Sequence, residues 1–330
     1  MAAAVDAVVS KPARFAKPSQ DPGPRPAVKP AISSGFILAS VPYAFMHLAC
    51  LAVFWTGVSA DALLVCFVSY AVRMFGVTAA YHRYFSHRSY KTSRVFQFLL
   101  ALLATSSAQL GPLWWAATHR HHHATSDTQA DPHSPRHYGF LWAHMGWFLH
   151  PGNRHDSHTA IRDYAKYPEL VWIDRWCLIT PALLGLATYG LGVALQSAGR
   201  PTSGAQMLVW GFVVATILLY HGTYTINSLS HVFGSQRFYT GDDSRNNPLL
   251  AMITLGEGWH NNHHRYQSSC RQGIYWWELD ITYLVLQLLA RLGLVWELRP
   301  VPQSVYAEAA QIYAEAQQAQ AAAQRRPRGH

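Results

Sequence analysis

Long apolar runs alternate with short polar joints along this chain, and several of the runs have membrane-spanning length. Residues 36–56 are almost wholly apolar, enough for a helix to cross a bilayer, which takes about 20 residues. Gly57-Val58-Ser59-Ala60-Asp61 makes a short turn, and residues 62–81 form a second span ending at His82. The next run, Val95 to Leu110, has 16 residues and contains Thr105, Ser106, Ser107 and Gln109. A spanning helix needs at least about 17 apolar residues, so this run is expected to dip into the membrane or lie along its surface. Residues 124–170 are polar, with many His, Asp and Pro, and read as a loop-rich cap. Two further spans are expected near 176–196 and 205–226, joined by Ser197 to Gly204. Ile281 to Val295 is too short to cross and is expected to pack at the interface.

The two ends differ from this pattern. Residues 1–34 hold Pro12, Pro18, Pro22, Pro24, Pro26 and Pro30 among scattered basic residues, without the apolar core of a cleavable signal peptide. They are expected to be a solvated, disordered tail. Residues 303–324 are rich in Ala, Gln and Glu, expected as a frayed helix before the basic end Arg325-Arg326-Pro327-Arg328. The pattern predicts an all-α integral membrane fold, with four transmembrane helices and a helical cap. It divides the chain into a tail over 1–34, a membrane domain over 35–299 and an Ala/Gln-rich tail over 300–330.

Composition sharpens this picture. Half the residues are hydrophobic and 13% are charged, against about 25% charged in a soluble domain. Twelve tryptophans and 17 tyrosines suit interfacial belts at lipid headgroups. Cys50, Cys66, Cys177 and Cys270 form no C-x-x-C pair and read as small buried hydrophobes, not as disulfides or metal ligands. The net charge of +9 is read through loop placement, and no nucleic-acid-binding module is visible. Lys11, Arg14, Lys17, Arg25 and Lys29 precede the first span, whereas the turns on the opposite side carry only Arg200. The positive-inside rule then places both termini, and the ends of the second and fourth spans, in the cytosol.

Three histidine clusters carry the chemistry: His82 with His87 (H-x4-H), His119 with His122 and His123 (H-x2-H-H), and His260 with His263 and His264 (H-x2-H-H). On a helix, residues three and four apart share a face, so each triplet can hold one ion between turns or span two ions with its adjacent histidines. His82 and His87 would point about 140° apart on a regular helix, which predicts that the helix ends or distorts between them. Zinc prefers four ligands, and eight imidazoles exceed that need, so the simplest reading is two metal ions in one cavity. Nitrogen-rich ligation with a redox task points to iron. Were Val95 to Leu110 to cross, His119 would emerge opposite His87, so the shared site and the non-crossing run require each other. His121 lies off the shared face and is expected in an outer layer or in solvent. His133, His137, His144, His150, His155 and His158 are expected on the cap and surface. His47 and His221, within spans, are expected in hydrogen-bonded structural roles, and Arg73 is expected to snorkel or pair. Asp127, Asp131 and Glu257 flank the triplets and are candidates to accept the second ring N–H of liganding histidines.

Taken in order, these clusters closely resemble those of the membrane-bound fatty acyl Δ9 desaturases of the stearoyl-CoA desaturase type. Gly76-Val77-Thr78 leads into the first cluster, and Asp131-Pro132-His133-Ser134 follows the second. Asn227-Ser228-Leu229-Ser230-His231 resembles the family's N-S-x-x-H element, and Ser244-Arg245-Asn246-Asn247 and Gly256-Glu257-Gly258-Trp259-His260 also match. The resemblance runs from about residue 36 to 299. It implies metal ligation by His82, His87, His119, His122, His123, His231, His260, His263 and His264, with Asn227 holding a water bound to one iron. It implies two iron ions, O2 as co-substrate, and cis double-bond formation in a saturated acyl chain. The stretch from Gly111 to Thr118 is uncharged, unlike that of acyl-CoA-using members, so the substrate is either an acyl thioester or an acyl lipid.

No flavin, haem or nicotinamide motif is visible, so electrons are expected from a separate carrier of cytochrome b5, ferredoxin or rubredoxin type with its reductase. Arg120, Arg136, Arg154 and Arg265 are candidates for docking it. Cys66 and Tyr70, four apart on one helix face, are expected near the closed end of an acyl tunnel between the spans. A di-iron lipid or alkane hydroxylase is the alternative enzyme. A metal transporter would place its ligands near mid-membrane, not at span ends.

Overall fold

A computed structural model describes residues 33–153 and 161–325. Four of its helices are long and apolar enough to cross a membrane. They are α1 (Ser34–Thr56), α2 (Ala60–Ser86), α6 (Ile179–Ser197) and α7 (Gly204–His231). Between α2 and α6 lie α3 (Arg94–Thr105), α4 (Pro112–Thr125) and α5 (Pro168–Arg175). After α7 come α8 (Pro248–Ile253), α9 (His260–Arg265), α10 (Ile281–Arg291) and α11 (Gln303–Arg325). The expected all-α membrane architecture is the one observed, and α3 and α10 stay below spanning length. Strands β1 (Lys91–Thr92) and β2 (Val295–Trp296) form a small antiparallel pair.

The four spans expose apolar side chains outward, among them Phe45, Phe54, Trp55, Phe67 and Leu186. A helix exposing such a surface satisfies its own backbone and suits lipid. Where spans meet, small residues let them approach, as membrane helices require. A Cβ on Gly192 of α6 would lie 2.4 Å from the Ser203 carbonyl at the start of α7. Ser59 caps α2 by accepting from Ala62 N–H at 3.2 Å. On the same side, Arg200 donates to Asp61 at 2.9 Å, clasping the two turns remote from the site. Among the described residues Arg73 meets no carboxylate, and it does not snorkel. It is buried, donating to the Ser69 carbonyl at 3.0 Å and to Thr216 Oγ1 at 2.7 Å.

The main core lies at the site end of the spans. Val77, Tyr81 and Phe85 of α2 pack with Leu100 and Ala104 of α3, Leu113 of α4, Leu170 and Ile173 of α5 and Leu286 of α10. The segment expected as a frayed helix is α11, and its first turns are docked, not free. Val305 and Ala309 pack with Phe238, Ile274 and Val301. The tail at 1–32, Arg154, His155, His158 and the basic end from Arg326 lie outside the described residues.

Candidate metal centre

The last stretch of α2 solves the problem posed by H-x4-H. From Gly76 to Ser86 the helix widens to i→i+5 hydrogen bonding, the π form common at functional sites. The His87 N–H donates to the His82 carbonyl at 3.2 Å, five residues back. Residues five apart therefore come to the same side, and the rings of His82 and His87 meet edge to face with centroids 4.8 Å apart. The distortion expected between them is a widening, not an end.

Helix α4 brings the second cluster. Pro112 sits in its first turn, where a missing N–H costs nothing. Asp174 Oδ1 accepts the next free N–H groups, of Leu113 at 2.8 Å and Trp114 at 3.1 Å. Helix α9 brings the third cluster, and the two asparagines inside it are fasteners. Asn261 Oδ1 accepts from the backbone of Arg237 and Phe238 at 2.8 and 2.7 Å. Asn262 Oδ1 accepts from Asn246 at 2.8 Å, and its amide donates to Gln272 O and Glu278 Oε2, both at 3.0 Å. That gives the Ser244–Asn247 element its purpose: Asn246 grips α9, while Asn247 caps α8.

The nine histidines named by the resemblance gather into two groups. One holds His82, His87, His119, His123 and His263; the other holds His122, His231, His260 and His264. Within each group, one ring nitrogen per residue lies within 4.8 Å of all the others. Each triplet takes the second of its two options and spans both groups with its adjacent histidines. Nε2 of His119 is 2.9 Å from those of His87 and His123, and His263 Nε2 is 3.0 Å from those of His82 and His123. Across the second group, His231 and His260 Nε2 are 3.1 Å apart. Nitrogens about 2.1 Å from one ion come to about such spacings, so the donor set fits a metal in each group.

Carboxylates hold the far side of four of these rings. Nδ1 of His122 faces Asp131 at 3.0 Å, and Nδ1 of His231 faces Asp127 at 2.8 Å. Nδ1 of His82 pairs with Glu257, and Nδ1 of His264 faces Asp242 at 2.7 Å. A carboxylate there fixes the proton on Nδ1 and turns the Nε2 lone pair inward. Asp127, Asp131 and Glu257, candidates from the sequence, each lie against the Nδ1 of a cluster histidine. Asp242 escaped it, because Gly241-Asp242-Asp243 looks like any acidic turn and lies 22 residues from His264.

Burial alone would raise these carboxyls, but their partners prevail. The hydrogen bond and charge of His231 hold Asp127 well below the usual carboxylate range. His133 and His122 do so for Asp131, and His264 does so for Asp242. Glu257 is lowered by His82 and Arg83. Burial, then the charges of neighbouring imidazoles, pushes His87, His119, His123, His260 and His263 well below the usual histidine value. Neutral imidazole is the form that binds metal.

Two of the expected surface placements are corrected, while His137 is exposed as expected. His133 and His150 are buried, not on the surface. His133 packs against His122, the rings tilted by 31° with centroids 4.2 Å apart, and burial depresses it to about 3. His144 is half-buried and bonded to Ser228 and His221. His121 and His137 bond to the carbonyls of Ala130 and Asp127, each at 3.0 Å. Three proposed docking arginines are already ion-paired: Arg120 with Asp163 at 2.9 Å, Arg265 with Glu308 at 2.6 Å, and Arg136 with Asp243. Asn227 ends the α-helical part of α7, one turn before His231, and no side-chain hydrogen bond engages it among the described residues. The Tyr70 hydroxyl donates to the Ile253 carbonyl at 2.7 Å, and Cys66 is buried one turn earlier.

Comparison with known proteins agrees with this arrangement. A family model described as fatty acid desaturase matches residues 36–299. An sn-1 stearoyl-lipid 9-desaturase of Anabaena variabilis is 38% identical over 220 residues, covering 66% of this chain and 76% of the relative. An acyl-CoA C20 Delta5-desaturase of Anemone leveillei is 37% identical over 73% of this chain and 75% of the relative. Delta-9 acyl-lipid desaturase 1 of Arabidopsis thaliana is 33% identical over 76% of this chain and 79% of the relative. With four helices long and apolar enough to cross a membrane, two histidine groups, and a match over most of its length, the chain belongs to the membrane fatty acid desaturase family.

Proposed function

We propose that this protein is an O2-dependent fatty acyl desaturase that introduces a cis double bond at the Δ9 position, using two iron ions and two electrons from an external carrier. The observation that carries the proposal is the pair of imidazole groups, five and four strong, with carboxylates behind one ring of the first and three of the second. In this reading all nine histidines are ligands and Asn227 holds a water on the second ion. Two irons held there would activate O2 to break unactivated C–H bonds, a task no acid–base side chain performs.

The remaining work falls to the chain itself. The spans bury the acyl tail, at roughly 0.8 kcal/mol per methylene, and tunnel depth fixes which carbons face the metals. Tyr70 and Cys66 close the tunnel. Asp127, Asp131, Asp242 and Glu257 keep their imidazoles in the metal-binding tautomer. The Delta-9 names of relatives that act on lipids favour an acyl lipid over a thioester, in keeping with the uncharged Gly111–Thr118 stretch. The site faces the cytosol by the positive-inside rule. A cytochrome b5, ferredoxin or rubredoxin type carrier with its reductase delivers the electrons there.

Expression in a desaturase-deficient host, with mass analysis of fatty acids, tests this. The expected product is two hydrogens lighter than the saturated chain, with its double bond at carbon 9. A product heavier by one oxygen would make the protein a hydroxylase instead.

A further inference from the structure

Apart from the metal groups, three more histidines touch in series. His47 of α1 lies with its Nε2 3.1 Å from Nε2 of His221 on α7. His221 Nδ1 is 2.9 Å from Nε2 of His144 in the cap. Nδ1 of His144 is 2.9 Å from Ser228 Oγ. Both ends stop at backbone carbonyls, that of Tyr43 at 2.8 Å from His47 Nδ1 and that of Tyr224 at 2.9 Å from Ser228 Oγ. His221 faces its neighbours with different ring nitrogens, so the three do not aim at one common point as the metal groups do.

Proton counting decides what this chain is. Five hydrogen bonds need five hydrogens, and carbonyl ends can only accept. Three neutral imidazoles and one hydroxyl supply four. A neutral chain therefore leaves one link with two lone pairs facing each other, and one added proton completes every link. With the end hydrogens fixed on His47 Nδ1 and on Ser228, the added charge has three equivalent seats, His47, His221 or His144. It moves between them by shifting hydrogens within existing bonds, without any ring turning. Tyr43, Tyr220 and Tyr224 are the titratable groups packed around the rings. Among the described residues no carboxylate, lysine or arginine bonds to any of the three. An intramembrane ionisable residue is a functional candidate by default, and here two of the three stand within spans.

We propose that His47, His221 and His144 form a wire that holds one excess proton and carries it as far as His144, whose Nδ1 bonds Ser228 beside the segment that carries Asn227 and His231. Its use rests on the desaturase reading. Per double bond, the substrate gives up two hydrogens, and O2 combines with these, two electrons and two protons to leave as two waters. The protons must come from outside the substrate, and the wire stores one of them within the fold.

Two measurements on the full chain test the wire separately from desaturation. The first is 15N-histidine NMR of zinc-loaded protein in detergent at about pH 7. The expected spectrum contains imidazole nitrogens averaged between neutral and protonated positions, and His221→Gln removes them. His47→Leu, on the helix with the fewest buried side chains, shortens the wire and serves as a second variant. The second measurement is turnover, where His221→Gln is expected to lower kcat on the order of ten-fold at unchanged KM, with partial rescue by added imidazole. Three separate neutral imidazoles in the spectrum would overturn the proposal. So would a third bound metal lost with His221, or undiminished turnover in His221→Gln. An averaged spectrum in a protein without desaturase activity would leave the wire standing and sink only the functional reading.

Discussion

Asp242 Oδ2 lies 2.7 Å from Nδ1 of His264, so a loop after α7 sets the ring orientation of the last histidine in the chain's third cluster. The same carboxylate is itself held, with Oδ1 accepting from Thr240 Oγ1 at 2.6 Å and Ser244 N–H at 3.1 Å. Supports of this kind change metal affinity by roughly 10–100-fold. Asp242→Asn is expected to weaken metal binding by that factor while keeping the fold. Chelator competition measures it, and an unchanged titration would show that Asp242 merely caps its own turn.

Arg83 is 1% exposed and lies between two carboxylates, 3.1 Å from Glu257 and 2.9 Å from Asp280. Removing one partner of a buried ion pair costs about 3–5 kcal/mol, because the charge left behind is unpaired. Arg83→Met alone should lower thermal stability sharply. Combining it with Glu257→Gln and Asp280→Asn should recover much of the loss. A triple variant no more stable than the single one would contradict this account.

The depressed imidazoles give the metal-free protein a pH dependence of definite sign. His87, His119, His123, His260 and His263 resist protonation when folded, through burial first and neighbouring charge second. Unfolded, they take up protons near about pH 6.5. The unfolded state then binds more protons as pH falls, so stability is full above about pH 6.5 and declines below it. His122 opposes this weakly, since Asp131 outweighs its burial and raises it. Unfolding temperatures of metal-free protein, taken between about pH 8 and pH 5, should drop on acidification. A flat or rising curve would refute the sign.

Tyr70 reaches from α2 to the Ile253 carbonyl, and a Cβ on Gly222 would come within 2.8 Å of its hydroxyl. The side chain therefore fills the space between α2, α7 and the end of α8. As the tunnel's end, Tyr70→Ala should extend the preferred acyl chain. Fatty-acid profiles of cells expressing the variant read this directly, and an unchanged chain-length distribution would remove Tyr70 from the tunnel.

Hydropathy alone located the four spans because lipid exposure imposes run lengths that nothing else demands. The two triplets were legible because helical periodicity puts His119 with His123, and His260 with His264, on shared faces. The Val95–Leu110 argument held because geometry forbids two halves of one site from sitting on opposite leaflets. Other features depend on contacts that are distant in sequence. His231 entered only through resemblance, since a lone histidine after a span has no periodicity to mark it. Asp242 could not be matched to His264 before the loop between them was folded. The H-x4-H spacing predicts an end or a distortion between His82 and His87, but the widening that begins back at Gly76 depends on packing against α3 and α4. His133 looked like a cap residue because a polar segment conceals which of its members turn inward.

The buried amides of Asn261 and Asn262 have a consequence for anyone who would rebuild this centre elsewhere. Nine imidazoles grafted onto a foreign helical bundle would carry the donors but lose the clamps that hold α9 against Phe238, Asn246 and Glu278. Such a graft would bind ions loosely and in varied poses. The two letters between the histidines are as much a part of the transplantable unit as the histidines themselves.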